Sequence, residues 1–246
     1  MKAAVLRGTQ QIVVEDVPDP KPGPNQVLVK IKYSAICGSD VHRFQYGMAN
    51  PGSVLGHEYT GEVTETGSLV TALRVGDRVV SGGGTPPVES VVREARPDRY
   101  SARTVGLETK MSGGFVEYVA VDEWRLLRIP NVVNDELAVL AEPASIAVHA
   151  VRTSKFKIGD AAVVLGAGPI GLLVIQVLNA GGAEAVYVSE PARARAMAAK
   201  KLGASLVINP NDSDVVARVL DLSGGPGVPV AFDAAAARPT LRQGLE

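Results

Sequence analysis

Cys37 is the only cysteine among 246 residues, so the chain can form no disulfide within itself and no zinc site built from several of its own thiolates. Long apolar runs are also missing: no stretch approaches the roughly eighteen residues that a membrane-crossing helix needs. The amino-terminal stretch Met1 to Val14 lacks the apolar core of a signal peptide, and the cytoplasm is the expected compartment. Charge of one sign is not in excess, since 25 Lys and Arg face 26 Asp and Glu for a formal net charge of -1. Nucleic acid is therefore not indicated as a partner. A hydrophobic content of 46% at this length suits a globular protein of two modest domains.

Up to about residue 130 the pattern is of short strands broken by turns: Ala3-Val5, Gln11-Val14, Val27-Ser34, Gly61-Thr66, Arg78-Ser81 and Phe115-Val121. In Val27-Ser34, Val27, Val29, Ile31 and Tyr33 alternate with Leu28, Lys30, Lys32 and Ser34, which predicts a half-buried antiparallel strand with an apolar face. Ser81 to Gly114, with four spaced arginines and little periodicity, reads as a long surface lobe. From Asn134 the texture changes. Helices are expected at Asp135-Leu140 and Ala144-Arg152, then alternating strands and helices at Ala161-Leu165, Ile170-Asn179, Ala185-Val188, Ala192-Leu202, Leu206-Ile208, Asp212-Leu222 and Val228-Phe232. Such alternation predicts a parallel sheet covered by helices.

Gly166-Ala167-Gly168-Pro169-Ile170-Gly171 follows the apolar run Ala161-Leu165 and opens a helix, which is where a dinucleotide turn has to lie. Gly166 suits the tight turn, Gly168 admits the pyrophosphate, and Gly171 lets helix and strand approach, while Pro169 and Ile170 begin the helix whose amides face the phosphates. The same pattern taken alone also fits a plain turn. Glu190 adds to it: it ends the second strand, 19 residues beyond Gly171, where an acid accepts hydrogen bonds from the adenosine ribose and repels a 2'-phosphate, favouring NAD over NADP. A solvated charge at a strand end is the other reading of Glu190, and Arg193 and Arg195 nearby could instead meet a phosphate.

Two of the three histidines lie close to the cysteine, in Cys37-Gly38-Ser39-Asp40-Val41-His42 and Gly56-His57-Glu58. Singly, a cysteine is most often a small buried hydrophobe and a histidine a satisfied polar group. Together with Glu142 before Pro143, they make a set of thiolate, imidazole and carboxylate suited to a catalytic zinc with an open position.

These segments, with Leu140-Ala141-Glu142-Pro143 through His149-Ala150, resemble the zinc-containing medium-chain alcohol dehydrogenases, in particular the sorbitol, threonine and 2,3-butanediol dehydrogenase branch. The resemblance implies an α/β protein: a mostly β, GroES-like catalytic domain at 1–150, then a Rossmann, doubly wound NAD-binding domain at 151–246. It implies one catalytic zinc held by Cys37 and His57, with Glu58 and Glu142 binding it directly or through water. Ser39 would take the alcohol proton and His42 would pass it to solvent through the cofactor ribose; His149 is given no chemistry. The implied reaction is hydride transfer between a secondary alcohol, diol or polyol and NAD, with the alcohol or ketone as small-molecule partner. A zinc-free, NADPH-using reductase on the same fold has no need of this ligand set.

The sequence departs from the family twice. Segment 81–114 contains no cysteine, so the four-thiolate structural zinc of many members is not expected. About four of the six parallel strands of a complete fold can be counted, so a carboxy-terminal truncation is expected, with the family's oligomer-forming edge missing and a non-catalytic, nucleotide- or partner-binding remnant as the alternative function.

Overall fold

The computed structural model describes residues 1–82 and 113–246, so the expected lobe at 81–114 lies almost wholly outside the described residues. Two compact units, Met1–Glu142 and Pro143–Glu246, make up the chain. The first contains strands β1 (Lys2–Gly8), β2 (Gln11–Asp16), β3 (Gln26–Ala35), β4 (Ser53–Val54), β5 (Glu58–Thr66), β6 (Arg78–Ser81), β7 (Tyr118–Asp122) and β8 (Leu126–Arg128), with short helices α1 (Gly38–Tyr46) and α2 (Asp135–Ala138). Two antiparallel sheets result, of order β2-β1-β4 and β7-β3-β5-β6-β8. Their alternating residues build the core: Val27, Val29, Val63 and Val79 have no exposed surface, and each such side chain contributes about 1.5–3 kcal/mol through burial.

Strand β3 departs from the expected alternation. Between Ile31 and Tyr33 its register against β5 shifts, and such a bulge re-aims the side chains beyond it. Tyr33 is consequently 45% exposed, while Leu28 on the opposite face is buried.

Helix α3 (Ala141–Thr153) starts three residues earlier than the pattern suggested, because Pro143 sits in its first turn, where no proline N–H is required. The second unit then runs β9 (Ala161–Leu165), α4 (Pro169–Ala180), β10 (Ala185–Ser189), α5 (Arg193–Lys201), β11 (Leu206–Ile208), α6 (Val215–Leu222), β12 (Val230–Asp233) and α7 (Arg238–Gln243). Its strands are parallel in the order β11-β10-β9-β12, the order of one half of a doubly wound fold plus the first strand of the next. Helix α6 begins at Val215, later than expected, since the Asp214 carboxylate accepts the Ala217 N–H at 3.1 Å and caps it. The apolar sheet residues Val164, Val186 and Val188 pack with Ile175 and Leu178 of α4 in one cluster. No helix among the described residues is long and apolar enough to cross a membrane.

Candidate functional site

Cys37 occupies the N-cap position of α1 in extended conformation, and Asp40 at the third helical position returns to accept the Cys37 N–H at 3.1 Å. This reciprocal start is the capping-box arrangement. The second Asp40 oxygen accepts the Gly56 N–H at 3.2 Å, which ties the turn before β5 to the head of α1. The two short motifs far apart in sequence are thereby clamped together, and the sulfur of Cys37, a ring nitrogen of His57 and a carboxylate oxygen of Glu58 lie within 4.8 Å of one another.

Ser81 supports the same corner from β6. Its hydroxyl donates to the His57 carbonyl at 2.6 Å and accepts the Tyr59 N–H at 2.8 Å, fixing the backbone on both sides of Glu58. Neither Asp40 nor Ser81 stands out in the sequence as a site residue. The spacing of Cys37 and Asp40, N-cap to third position, was a usable signal for the first; Ser81 carries no signal outside the folded chain.

Electrostatically the cluster is arranged for a cation. Asp40 lies 3.8 Å from Nδ1 of His57, and with Cys37 it pushes the imidazole pKa up to about 10. His57, helped by Ser39, in turn holds the Cys37 thiol below its ordinary value. Burial, then the charge of Glu142, push the Glu58 carboxyl up, and burial does the same to Glu142. Glu142 reaches this corner at the start of α3, its side chain against Gly82, where an added Cβ would meet Glu142 Cγ at 3.0 Å.

Among the described residues Nδ1 of His57 is buried without a hydrogen-bond partner. Ligands about 2.0–2.3 Å from one tetrahedral zinc stand roughly 3.3–3.8 Å apart, so the observed spread asks for only a small contraction. A borderline-soft donor set, mutually repelling acids and an orphaned buried nitrogen fit zinc. Of the two residues read as proton carriers, Ser39 faces Cys37. His42 lies one turn on, exposed, its ring centroid 5.9 Å from that of Tyr46.

In the second unit the glycine turn joins β9 to α4. Gly166 has φ +96°, and a Cβ there would stand 2.9 Å from that of Ala235. Gly168 is the N-cap of α4 and Pro169 its first residue. A Cβ added to Gly168 would meet nothing within 4 Å, whereas one on Gly171 would run into the Gly166 carbonyl oxygen. The turn is thus closed on the sheet side and open at Gly168, beside the helix amides, which are suited to hold an anion. Glu190 follows β10, 2% exposed, and accepts hydrogen bonds from Ala167 N at 2.8 Å, Ala192 N at 2.8 Å and Arg195 Nη2 at 2.9 Å.

Comparison with known proteins agrees with both halves. Residues 23–131 match the alcohol dehydrogenase GroES-like domain, and residues 169–246 match the zinc-binding dehydrogenase family. The whole chain aligns at 38% identity with 74% of (R,R)-butanediol dehydrogenase from Bacillus subtilis, and at 34% with 73% of sorbitol dehydrogenase from Halalkalibacterium halodurans. A zinc-binding dehydrogenase from Sinorhizobium meliloti 1021, solved with NADP bound, superposes with a TM-score of 0.87 at 30% identity, covering 99% of this chain and 72% of its own. The chain belongs to the zinc-binding alcohol dehydrogenase family, whose members are oxidoreductases of the α/β class described here.

Proposed function

We propose that this chain is a zinc-assisted dehydrogenase of vicinal diols, polyols or related secondary alcohols, working with NAD. The convergence of Cys37, His57 and Glu58 within 4.8 Å carries this reading, and the butanediol and sorbitol dehydrogenases among its relatives supply the substrate class. Catalytic chemistry is assigned to residues 1–150 and the dinucleotide to residues 151–246. Cys37 and His57 hold a single zinc, with Glu58 and Glu142 completing its shell directly or through water. A second zinc on four thiolates has no ligands in a chain with one cysteine.

When bound, the metal supplies Lewis-acid polarisation of the substrate oxygen, and the nicotinamide supplies the hydride acceptor. The protein's share is positional. Asp40 and Ser81 hold the ligand-bearing backbone, Ser39 relays the alcohol proton by accepting it at its hydroxyl oxygen while releasing its own, and His42, exposed on α1, passes a proton on to solvent. Gly166, Gly168, Pro169, Ile170 and Gly171 seat the pyrophosphate, and Glu190 accepts from the adenosine ribose. The non-catalytic remnant gains nothing from this geometry, because nucleotide binding alone does not call for a converging thiolate, imidazole and acid.

Zinc content of the purified protein beside Cys37→Ala, with an assay of NAD reduction on butanediol, sorbitol and threonine, tests the proposal. Stoichiometric zinc lost in the variant, and turnover of at least one alcohol, is the expected result. Equal zinc in both proteins overturns the ligand assignment. Absence of turnover with zinc and NAD bound overturns the activity.

A further inference from the structure

A single oxygen atom pins both peptide planes that meet at Glu58. The Ser81 hydroxyl donates to the His57 carbonyl at 2.6 Å and accepts the Tyr59 N–H at 2.8 Å. The carbonyl belongs to the peptide that enters Glu58, and the N–H to the peptide that leaves it. Because each peptide unit is planar, holding both fixes the two backbone angles of Glu58 and with them the direction of its Cβ.

Ser81 is itself well held. The β5–β6 ladder ends at Thr60 and Val80, and β8 grips the next residue of β6 from the other side by pairing Leu126 with Ser81. The hydroxyl thus takes over where the ladder stops. Ser81, Tyr59 and Glu58 are all buried, so its removal leaves an N–H and a carbonyl that water does not readily satisfy. Ser34 offers a contrast on the same segment. Its hydroxyl reaches the Glu58 carbonyl from β3 at 3.4 Å, but Ser34 is exposed, and water replaces such a bond at little cost.

We propose that Ser81 is a positioning residue of the metal corner: through the two peptides around Glu58 it keeps that carboxylate turned toward Cys37 and His57, and so sets how tightly the corner holds a metal. This rests on the reading of Cys37, His57 and Glu58 as metal ligands.

Chelator competition for zinc, and the visible spectrum of the cobalt(II)-loaded full chain, test it on wild type, Ser81→Ala, Ser81→Thr, Ser34→Ala, Glu58→Gln and the double variant Ser81→Ala with Glu58→Gln. Ser81→Ala is expected to weaken zinc about 10–100-fold, the usual range for a group that orients a ligand, and to shift the cobalt bands, which report the ligand arrangement. Ser81→Thr keeps the hydroxyl and should bind more tightly than Ser81→Ala, within about tenfold of wild type. Ser34→Ala should stay within about threefold of wild type. Once Glu58→Gln is in place, the Ser81→Ala change should cost less than about threefold, since the carboxylate it positions is gone.

A Ser81→Ala protein that matches wild type in affinity and spectrum, or that loses as much with Glu58→Gln as without it, overturns the role of Ser81 and leaves the ligand set standing. Equal weakening by Ser34→Ala does the same. Zinc affinity unchanged in Glu58→Gln overturns Glu58 as a ligand, as does a wild-type chain that binds no zinc, and the proposal falls with it. Metal-free Ser81→Ala is expected to keep a cooperative thermal transition; loss of that transition makes Ser81 a folding residue and overturns its positioning role.

Discussion

The metal corner and the nucleotide turn both gather polar groups where little water reaches, yet they are held in opposite ways. In the first, His57 keeps Nδ1 buried without a hydrogen-bond partner, 3.8 Å from Asp40, and burial together with the charge of Glu142 raises the cost of ionising Glu58. In the second, Glu190 is the more deeply buried acid but is satisfied by three donors. An unsatisfied buried cluster favours any cation that completes it, whereas a satisfied one exchanges partners when a ligand arrives. One cluster retains a buried nitrogen with no hydrogen bond, and the other is closed by its own donors.

The largest expected effect breaks the incomplete side. Cys37→Ala should remove zinc and, with several kcal/mol of transition-state stabilisation lost, lower kcat/KM by about a thousandfold. Metal analysis and steady-state kinetics check this, and a variant retaining most of its activity would place the metal elsewhere. Next in size is Gly171→Ala, which strikes the closed face of the turn. The new methyl meets a backbone oxygen that cannot swing away, so a loss of about 1–3 kcal/mol is expected, seen as a fall of several degrees in Tm together with weaker NAD binding.

Asp40→Asn separates support from ligation. Its oxygens brace both motifs, and loss of such an outer partner typically costs about 10–100-fold in metal affinity; competition with a chelator should show zinc retained but looser. An affinity unchanged from wild type would reduce Asp40 to a helix cap.

The smallest effect concerns pH on the satisfied side. Burial raises the Glu190 pKa, but hydrogen bonds from Arg195, then Ala167 and Ala192, outweigh it and hold the group below its ordinary 4.5. A depressed pKa in the folded state contributes stability that is fully present above the unfolded value and disappears as pH falls through the folded one. Urea unfolding of wild type and Glu190→Gln should therefore differ most near neutrality and converge as pH falls through the depressed folded-state value; curves that stay parallel would show that the ion network contributes nothing.

Much of this was legible in the chain before folding. The glycine turn showed itself because Gly166 and Gly171 meet a steric demand at a set spacing, and the parallel β/α unit because apolar strands and helices alternate in short range. The candidate ligands were visible as residue types, Cys37, His57, Glu58 and Glu142, on three separated segments, and the fold brings Cys37, His57 and Glu58 within 4.8 Å of one another. Harder to read were features that depend on a partner distant in sequence. Tyr33 faces solvent because of a register shift against β5, and Ser81 matters only because β6 pairs beside β5.

By itself, then, the sequence determined the class of chemistry available: one thiolate, a nearby imidazole and acids for a metal, and a strand-turn-helix for a dinucleotide, since donor identity and local spacing are covalent properties. Only the tertiary structure decided how those groups are held. It joined α1 to the β5 turn through the two oxygens of Asp40 and left His57 Nδ1 without a hydrogen bond. It also filled three of the four acceptor sites of Glu190, because hydrogen-bond satisfaction depends on which distant donors the packed chain delivers.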